Sequence, residues 1–287
     1  MGLSWVGSGM HTEHLVDDSQ KEPTGEQSAK HLQDSLMEEF RLYASYWILD
    51  NLAFDFTLPI RHTIIEASFE DANGNLLPGF TSIHHRSETL FGLGDATAGL
   101  TTTAFSGSPE VPLRIVVRVG ATLPTGGIEP DPFLLGAQGK DHQHIFYGTG
   151  TVNPTLGLGL SYDFGVLKLN SNTDLTFPVT SNREGYTPPT SFLSDLLVSI
   201  PTTIGSLNAV IGSGVFQEWP AKWGDKTAKN SGRTEVSAVL GVNWNVSEGF
   251  YASLSAKVPL YIEAKGGQLE MPLILQLALA GRVNLLD

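Results

Sequence analysis

The sequence predicts an all-β protein, an antiparallel up-and-down transmembrane β-barrel of about twelve strands. Three observations predict it: segments in which apolar and polar residues alternate, connections that are by turns long and short, and aromatic residues beside the short connections. Because successive side chains of a strand point to opposite faces, alternation gives a strand one apolar and one polar face. In a transmembrane barrel the apolar face meets lipid and the polar face lines the lumen.

Alternation is clearest near the C-terminus of the chain. One face there carries Leu269, Met271, Leu273, Leu275, Leu277 and Leu279, and the other face carries small or polar residues. The same pattern recurs upstream, although 26–42 and 191–200 also fit the spacing of a helix. The predicted strands are 2–10, 37–47, 52–65, 92–105, 113–124, 149–163, 166–179, 191–200, 206–218, 233–246, 249–260 and 268–283.

The connections between these segments alternate in length. The long ones are 11–36, 66–91, 125–148, 180–190, 219–232 and 261–267. An outer-membrane barrel has short turns on the periplasmic side and long loops outside, and an even number of strands puts both termini on the short-turn side. We therefore expect one barrel domain over residues 1–287, with 11–36 as a long first loop and a candidate cap or plug.

Aromatic residues on the apolar face lie next to the short turns. They are Tyr46, Phe54, Tyr162, Phe164, Trp244 and Phe250. Amphipathic rings at this level form the interfacial girdle of a membrane barrel.

A soluble β-sandwich or a lipocalin-like barrel is the alternative, because alternation alone does not distinguish inside from outside. In such a protein the apolar face would point inward and the polar face outward. Two facts favour the membrane. The polar face consists mainly of small and neutral residues, and twelve strands exceed what a lumen filled by side chains needs.

Composition excludes several classes of protein. The net charge is −13 with only 17 Lys and Arg, which argues against a nucleic-acid partner. The chain has no cysteine, which excludes disulfides, thiolate metal sites and thiol nucleophiles. The N-terminal segment has no signal peptide, so we expect either a cytosolic protein or an exported chain whose signal has been removed.

Three glycine-rich stretches and one late segment carry a family resemblance. The stretches are Gly92-Leu-Gly-Asp95-Ala-Thr-Ala-Gly99, Val119-Gly-Ala-Thr-Leu-Pro-Thr-Gly126 and Gly148-Thr-Gly-Thr-Val-Asn-Pro-Thr-Leu-Gly-Leu-Gly-Leu-Ser-Tyr-Asp-Phe164, and the late segment is Val258–Glu270. In these the chain resembles the outer-membrane transporters named after the meta-pathway of phenol degradation. The resemblance implies a bacterial outer-membrane barrel that moves small solutes, aromatic or apolar ones among them.

Charged residues on the polar faces are the candidate lumen and selectivity residues. By parity they are Glu39, Arg41, Asp55, Arg61, Asp95, Arg114, Arg118, Lys168, Asp174, Glu235, Lys257, Glu270 and Arg282. A lumen with charges of both signs holds itself together by ion pairs and lines a polar path. The sequence contains no G-x-S-x-G elbow and no nucleotide-binding glycine spacing, so we expect neither an enzyme nor a cofactor.

All 8 histidines lie on or beside the first three long loops. Six of them could converge at the outer mouth and bind Zn²⁺ or Cu²⁺ through imidazole nitrogens. These are His11, His14, His84, His85, His142 and His144. The alternative is that they are solvated loop residues.

The expected function is an outer-membrane channel or transporter for small solutes. Its partners would be outer-membrane lipid and a small-molecule solute, and its oligomeric state is left open. The alternatives are a non-transport binding barrel with the histidine metal site, a soluble β-sandwich or lipocalin-like binding protein, and an outer-membrane enzyme for which no residue stands out.

Overall fold

The computed structural model describes residues 1–15, 30–78, 80, 86–142, 144–229, 231–265 and 271–282, and the side chains of His14 and Leu15 are not among them. Strands make up most of the described chain, with one short helix. In chain order the elements are β1 (Gly2–Leu15), β2 (Lys30–Leu49), β3 (Leu52–Glu70), β4 (Glu88–Leu93), β5 (Ala96–Ser108), β6 (Val111–Leu123), α1 (Pro132–Ala137), β7 (Asn153–Asp163), β8 (Lys168–Thr176), β9 (Tyr186–Thr187), β10 (Ser191–Pro201), β11 (Leu207–Glu218), β12 (Lys222–Trp223), β13 (Lys226–Thr227), β14 (Arg233–Ser247), β15 (Phe250–Ala264) and β16 (Ile274–Gly281).

The wall of the molecule is a closed antiparallel sheet. Consecutive wall strands pair with one another, and β1 closes the sheet by pairing with β16 from Gly2 opposite Ala280 to Gly7 opposite Leu275. β4 pairs with residues 60–65 of β3, and β5 pairs with residues 52–57 of the same strand. The two therefore count as one wall strand with an interruption at Gly94 and Asp95. The barrel therefore has twelve wall strands, one in each predicted segment, which confirms the predicted fold class.

Two segments that also fitted a helix are strands. Residues 30–42 belong to β2, which pairs with β1 and β3, and 191–200 belong to β10, which pairs with β8 and β11. Pairing on both sides satisfies every backbone group along these segments, and this overrides their helical spacing. In the described residues, no helix has the length and apolar character needed to cross a membrane.

The first long connection is shorter than expected. Residues 11–15 extend β1 and residues 30–36 belong to β2, and the two strands stay paired as far as Leu15 opposite Lys30. These parts of the candidate cap are wall and not a plug, because continued pairing satisfies their backbone groups. Residues 16–29 lie outside the described residues.

The apolar face of the sheet is its outer face. Leu277 is 41% exposed and lies opposite Leu254, which is 50% exposed. On the other face, one cavity is lined by side chains from β8, β10, β11, β14 and β15 together. Only the concave side of a curved sheet can bring five successive strands around one cavity. The soluble alternative, with the leucines packed in a dry core, is therefore wrong.

The predicted girdle residues surround the short-turn end of the barrel. Tyr46, Phe54, Phe164, Trp244 and Phe250 are 57%, 43%, 57%, 48% and 40% exposed, respectively. Tyr162 packs against Phe164 with ring centroids 4.5 Å apart. The turn between β7 and β8 depends on Gly165, which has φ 82° and whose N–H donates to Asp163 Oδ1.

A charge on the outer face should be far more costly than the same charge on the inner face. We expect Leu277→Arg to lower the free energy of unfolding in lipid by about 2–4 kcal/mol, because the guanidinium would have to leave water for hydrocarbon. The neighbouring inward-facing change Gln276→Arg is the control and should cost much less. Urea titration of both variants in lipid vesicles measures this, and equal losses would contradict the assignment of the two faces.

Candidate functional site

Polar side chains surround two adjoining cavities inside the short-turn half of the barrel. Their volumes are ≈ 490 Å³ and ≈ 440 Å³. Both are lined by Asp163, Lys168, Asn170 and Asn172, so the two cavities lie side by side. Arg114, Arg118 and Ser161 line the larger cavity, and Ser199, Asn208, Asn243 and Tyr251 line the smaller one.

One ion pair inside the barrel reaches across an entire strand. Arg118 on β6 donates to Asp174 Oδ1 on β8 through Nε at 3.2 Å and Nη2 at 3.1 Å. Gly157 of β7 lies between them, opposite both. A Cβ at Gly157 would be 2.5 Å from Asp174 Oδ1 and 2.6 Å from Arg118 Nε. The glycine is therefore what lets the two side chains meet.

A second ion pair reaches across two strands, β11 and β14. Lys257 Nζ on β15 donates to Asp195 Oδ1 on β10 at 2.8 Å. Gly214 on β11 lies beneath the carboxylate, since its Cβ would be 2.6 Å from Asp195 Oδ1. These side chains are only 14% and 21% exposed, so this pair is shielded from water more than the first.

Asp195 is not among the charges predicted to face the lumen. It lies in a segment where Leu193 and Leu197 share its face, so the face does not look polar. The signal that could have found it is a single charge within a strand that is apolar on both faces.

Glu39 lies between two arginines on the inner face of β2 and β3. It pairs with Arg41 on its own strand and with Arg61 directly opposite. The carboxylate side chain is 14% exposed. Arg61 also donates through Nη1 to the backbone carbonyl of Tyr147 at 3.2 Å, which connects this cluster to a loop inside the mouth.

Glu235 is the most deeply buried candidate, at 4% exposure. It accepts from Ser237 Oγ at 2.7 Å and pairs with Arg233 Nη2 at 2.9 Å. Arg233 in turn lies over the ring of Phe216, 5.2 Å from its centroid. These two partners offset the cost of burying the carboxylate away from water.

The remaining lumen candidates are spread along the barrel. Arg114 is exposed and donates to Thr103 Oγ1 at 3.1 Å, and Lys168 lies 3.4 Å from Asp163. Asp55 faces inward opposite Gly99. Arg282 lies exposed beyond β16, and Glu270 lies outside the described residues. A role in selectivity stays a prediction for the whole set.

The connection 124–152 folds into the mouth of the barrel. The Tyr147 hydroxyl lies 2.8 Å from Thr63 Oγ1 on the inner face of β3, where Thr63 is 1% exposed. Burial raises the pKa of Tyr147, so its phenol stays protonated. The ring covers Gly92 of β4, whose Cβ would be 3.2 Å away.

The residue before Tyr147 is Phe146, and its ring packs with two aromatic rings from two other loops. The centroid of Phe146 is 5.4 Å from Tyr186 and 6.5 Å from Trp223, and Tyr186 and Trp223 are 4.9 Å apart. Burial raises the pKa of Tyr186. Residues 146–147 therefore contact both the wall at β3 and β4 and the small sheet of β9, β12 and β13.

Asp95 lies at the interruption between β4 and β5 and faces the base of this loop. Its carboxylate accepts hydrogen bonds from Gly126 and Thr149, one on each stem. The three glycine-rich stretches of the sequence thus meet at one carboxylate.

Within the described residues, the candidate metal ligands do not gather into one metal-binding group. His11 faces outward on β1 and lies 2.7 Å from Asp34 Oδ1. His142 and His144 form an edge-to-face ring pair in the loop, with centroids 4.9 Å apart. In the described part of the chain no three metal-ligating side chains form a group, and His84, His85 and the side chain of His14 lie outside it. The metal site stays a prediction.

A polar cluster on the outer face was also missed. Trp5 Nε1 donates to Glu38 Oε1 at 3.0 Å, and His62 Nδ1 lies 3.1 Å from Glu38 Oε2. Gly7 makes room for the indole, since its Cβ would be 2.3 Å from that ring. Phe91, opposite His62, is 74% exposed and marks this face as the outer one. By alternation, Glu38 falls on the apolar face of β2. Its hydrogen bonds with Trp5 and His62 show why a carboxylate can lie there.

The chain resembles known proteins in its structure and not in its sequence. No family model and no curated protein sequence matches the chain. Among solved structures, the COG4313 outer membrane channel from Pseudomonas putida F1 superposes with a TM-score of 0.61 at 13% identity, over 98% of this chain and 94% of that one. The chain has the fold of an outer-membrane β-barrel. The apolar outer face is the surface that such a barrel presents to lipid.

Two further solved structures superpose with lower scores. They are the Pseudomonas putida toluene transporter TodX (TM-score 0.45, 11% identity, 98% of this chain and 78% of that one) and the β domain of the Bordetella autotransporter BrkA (TM-score 0.43, 12% identity, 98% and 99%). The outer-membrane barrel that the family resemblance implied is confirmed, and the family itself stays a prediction.

The glycine beneath the Arg118–Asp174 pair gives a test of this interior. We expect Gly157→Ala to lower the free energy of unfolding by about 1–3 kcal/mol, because the new methyl group overlaps both charged groups. Gly159→Ala is the matched control, since its Cβ would have 3.3 Å or more to its neighbours. Urea titration in detergent compares them, and an equal effect of the two would contradict the bridging role of Gly157.

Proposed function

We propose that this protein is a channel of the bacterial outer membrane that lets small solutes diffuse through its interior. The observation that carries the proposal is the pair of adjoining cavities, lined mainly by polar residues, inside a closed barrel whose outer face is apolar. The fold supports it, because the structure that superposes with a TM-score of 0.61 is an outer membrane channel.

The in-folded loop limits the solutes to small ones. Residues 146–147 cross the mouth, so a solute passes beside them and not through an open cylinder. Aromatic rings, including Phe146, Tyr186 and Trp223, line this level, and an aromatic or apolar solute would stack on them. The family resemblance supports the same solute class.

Charge near the short-turn end favours anions. Among the described residues that line the larger cavity, Arg114, Arg118 and Lys168 are cationic and Asp163 is acidic. Within the described residues no acidic side chain pairs with Arg114. A local cationic excess in a protein of net charge −13 is a selectivity feature for a solute that carries a carboxylate or another small anion.

The basic test is conduction by the purified protein. In planar lipid bilayers it should show discrete single-channel currents, and in liposomes it should admit small aromatic solutes. A correctly folded barrel that neither conducts nor admits solute would contradict the proposal.

Removal of the two inner arginines tests the selectivity. The double variant Arg114→Ala and Arg118→Ala should lower the anion-to-cation permeability ratio roughly fivefold, since a unit charge about 4 Å from an ion in water changes its energy by ~1 kcal/mol. Reversal potentials in a salt gradient measure it.

Arg183→Ala removes the same type of charge from an exposed loop position and is the control. It should leave the reversal potential unchanged. Unchanged selectivity in the double variant would show that these arginines do not line the conducting path.

A further inference from the structure

We propose that Asp95 is the positioning residue that holds the connection 124–152 inside the mouth and thereby sets the width of the channel. The inference rests on the proposed function and deepens it, since the size limit for solutes is assigned to one carboxylate.

The two oxygens of Asp95 accept from opposite stems of the loop. Oδ1 accepts from the backbone N–H of Gly126 at 3.0 Å. Oδ2 accepts from the backbone N–H of Thr149 at 2.7 Å and from its hydroxyl at 2.6 Å. Three charge-assisted hydrogen bonds thus join the stem that enters the mouth to the stem that leaves it.

The two stems are in direct contact at this level. Gly148 N–H donates to the carbonyl of Gly127 at 2.8 Å. A Cβ at Gly148 would be 2.3 Å from the carbonyl oxygen of Gly126, so only glycine allows this approach. Asp95 therefore accepts from both stems at the level where their backbones touch.

The interruption in the wall is what points Asp95 at the loop. Leu93 and Leu100, an odd and an even residue, are both exposed on the outer face, at 43% and 46%. The alternation therefore shifts by one residue at Gly94 and Asp95, where Gly94 N–H donates to the carbonyl of Pro59 at 2.9 Å. Thr125 Oγ1 bridges the gap, donating to the carbonyl of Gly94 and accepting from Ala96 N–H, both at 2.8 Å.

The hydrogen bonds of Asp95 with Gly126 and Thr149 lie next to the part of the loop that narrows the mouth. Tyr147 and Phe146 come two and three residues before Thr149. Tyr147 is otherwise held by its contacts with Thr63 and Leu90 and by Arg61, whose guanidinium donates to its carbonyl. Thr149 Oγ1 also accepts from Asn153 Nδ2 at 3.1 Å, and Asn153 is 2% exposed. The stem is thus fixed to the wall, and its release would free the residues that span the mouth.

Asp95→Asn is the sharpest variant because its shape is almost unchanged. An amide offers one acceptor oxygen and turns an NH₂ group toward a backbone N–H, so at least one stem loses its acceptor. Amide exchange over 124–152, measured by mass spectrometry, should become roughly tenfold faster, as expected for the loss of one hydrogen bond to a charged group. Single-channel conductance should rise about twofold or more, because it depends on the narrowest diameter.

The matched control is Asp71→Asn. Asp71 also accepts from two backbone N–H groups, of Asn73 at 2.8 Å and Asn75 at 2.9 Å, but it holds the tip of a different loop. Neither conductance nor exchange over 124–152 should change in it. Thr149→Val removes the hydroxyl bond alone and should give a smaller change of the same sign, so it decides the matter if Asp95→Asn does not fold.

The outcomes separate the inference from the proposed function. Faster exchange together with higher conductance supports both. If the wild-type protein conducts, and neither Asp95→Asn nor Thr149→Val changes amide exchange or conductance, the proposed role of Asp95 is wrong. The proposed channel is then unaffected. Faster exchange with unchanged conductance also overturns the role of Asp95, because the loop would then not narrow the path. Faster exchange in a protein that never conducts supports the role of Asp95 in holding the loop. It overturns the proposed channel, and with it the proposal that Asp95 sets the channel width.

Discussion

The structure depends on closure of the sheet between β1 and β16. In hydrocarbon no water is present to pair with a backbone N–H or carbonyl, so an open sheet edge would cost several kcal/mol for each unpaired group. The pairing of Gly2 to Gly7 with Ala280 to Leu275 removes that edge. Closure also defines an inside. Every other feature, from the exposed leucines to the ion pairs, follows from which face a residue presents to that enclosed space.

Inside the barrel, charge and glycine act together. Arg118 reaches Asp174, and Lys257 reaches Asp195, because a glycine on an intervening strand leaves the space above it open. Such pairs neutralise charge locally and tie strands that do not touch through their backbones. Arg114, by contrast, lies in the same interior and donates to the Thr103 hydroxyl. The same principle governs Asp95, whose loop approaches closely because Gly126 and Gly148 lack side chains.

Sequence periodicity anticipated the wall well. Each of the twelve wall strands overlaps a segment predicted from alternation, because a strand half in lipid and half in water must alternate. It anticipated strand ends less well, since β1 and β2 continue pairing far into the segment 11–36. Parity placed Arg118 and Asp174 on one face but did not pair them. It missed Asp195 and Glu38, whose significance depends on partners on other strands.

Alternation, loop lengths and aromatic placement by themselves determined the class of fold, the number of strands and the face of most side chains. These are local properties, set by the period of two in a strand and by contact with lipid. Only the tertiary structure decided that Asp95 leaves the wall to bind two loop stems, that Tyr147 lies against Thr63, and that Glu235 is buried with Arg233. Those contacts join residues far apart in sequence, and no pattern along the chain encodes the distances at which a closed sheet brings them together.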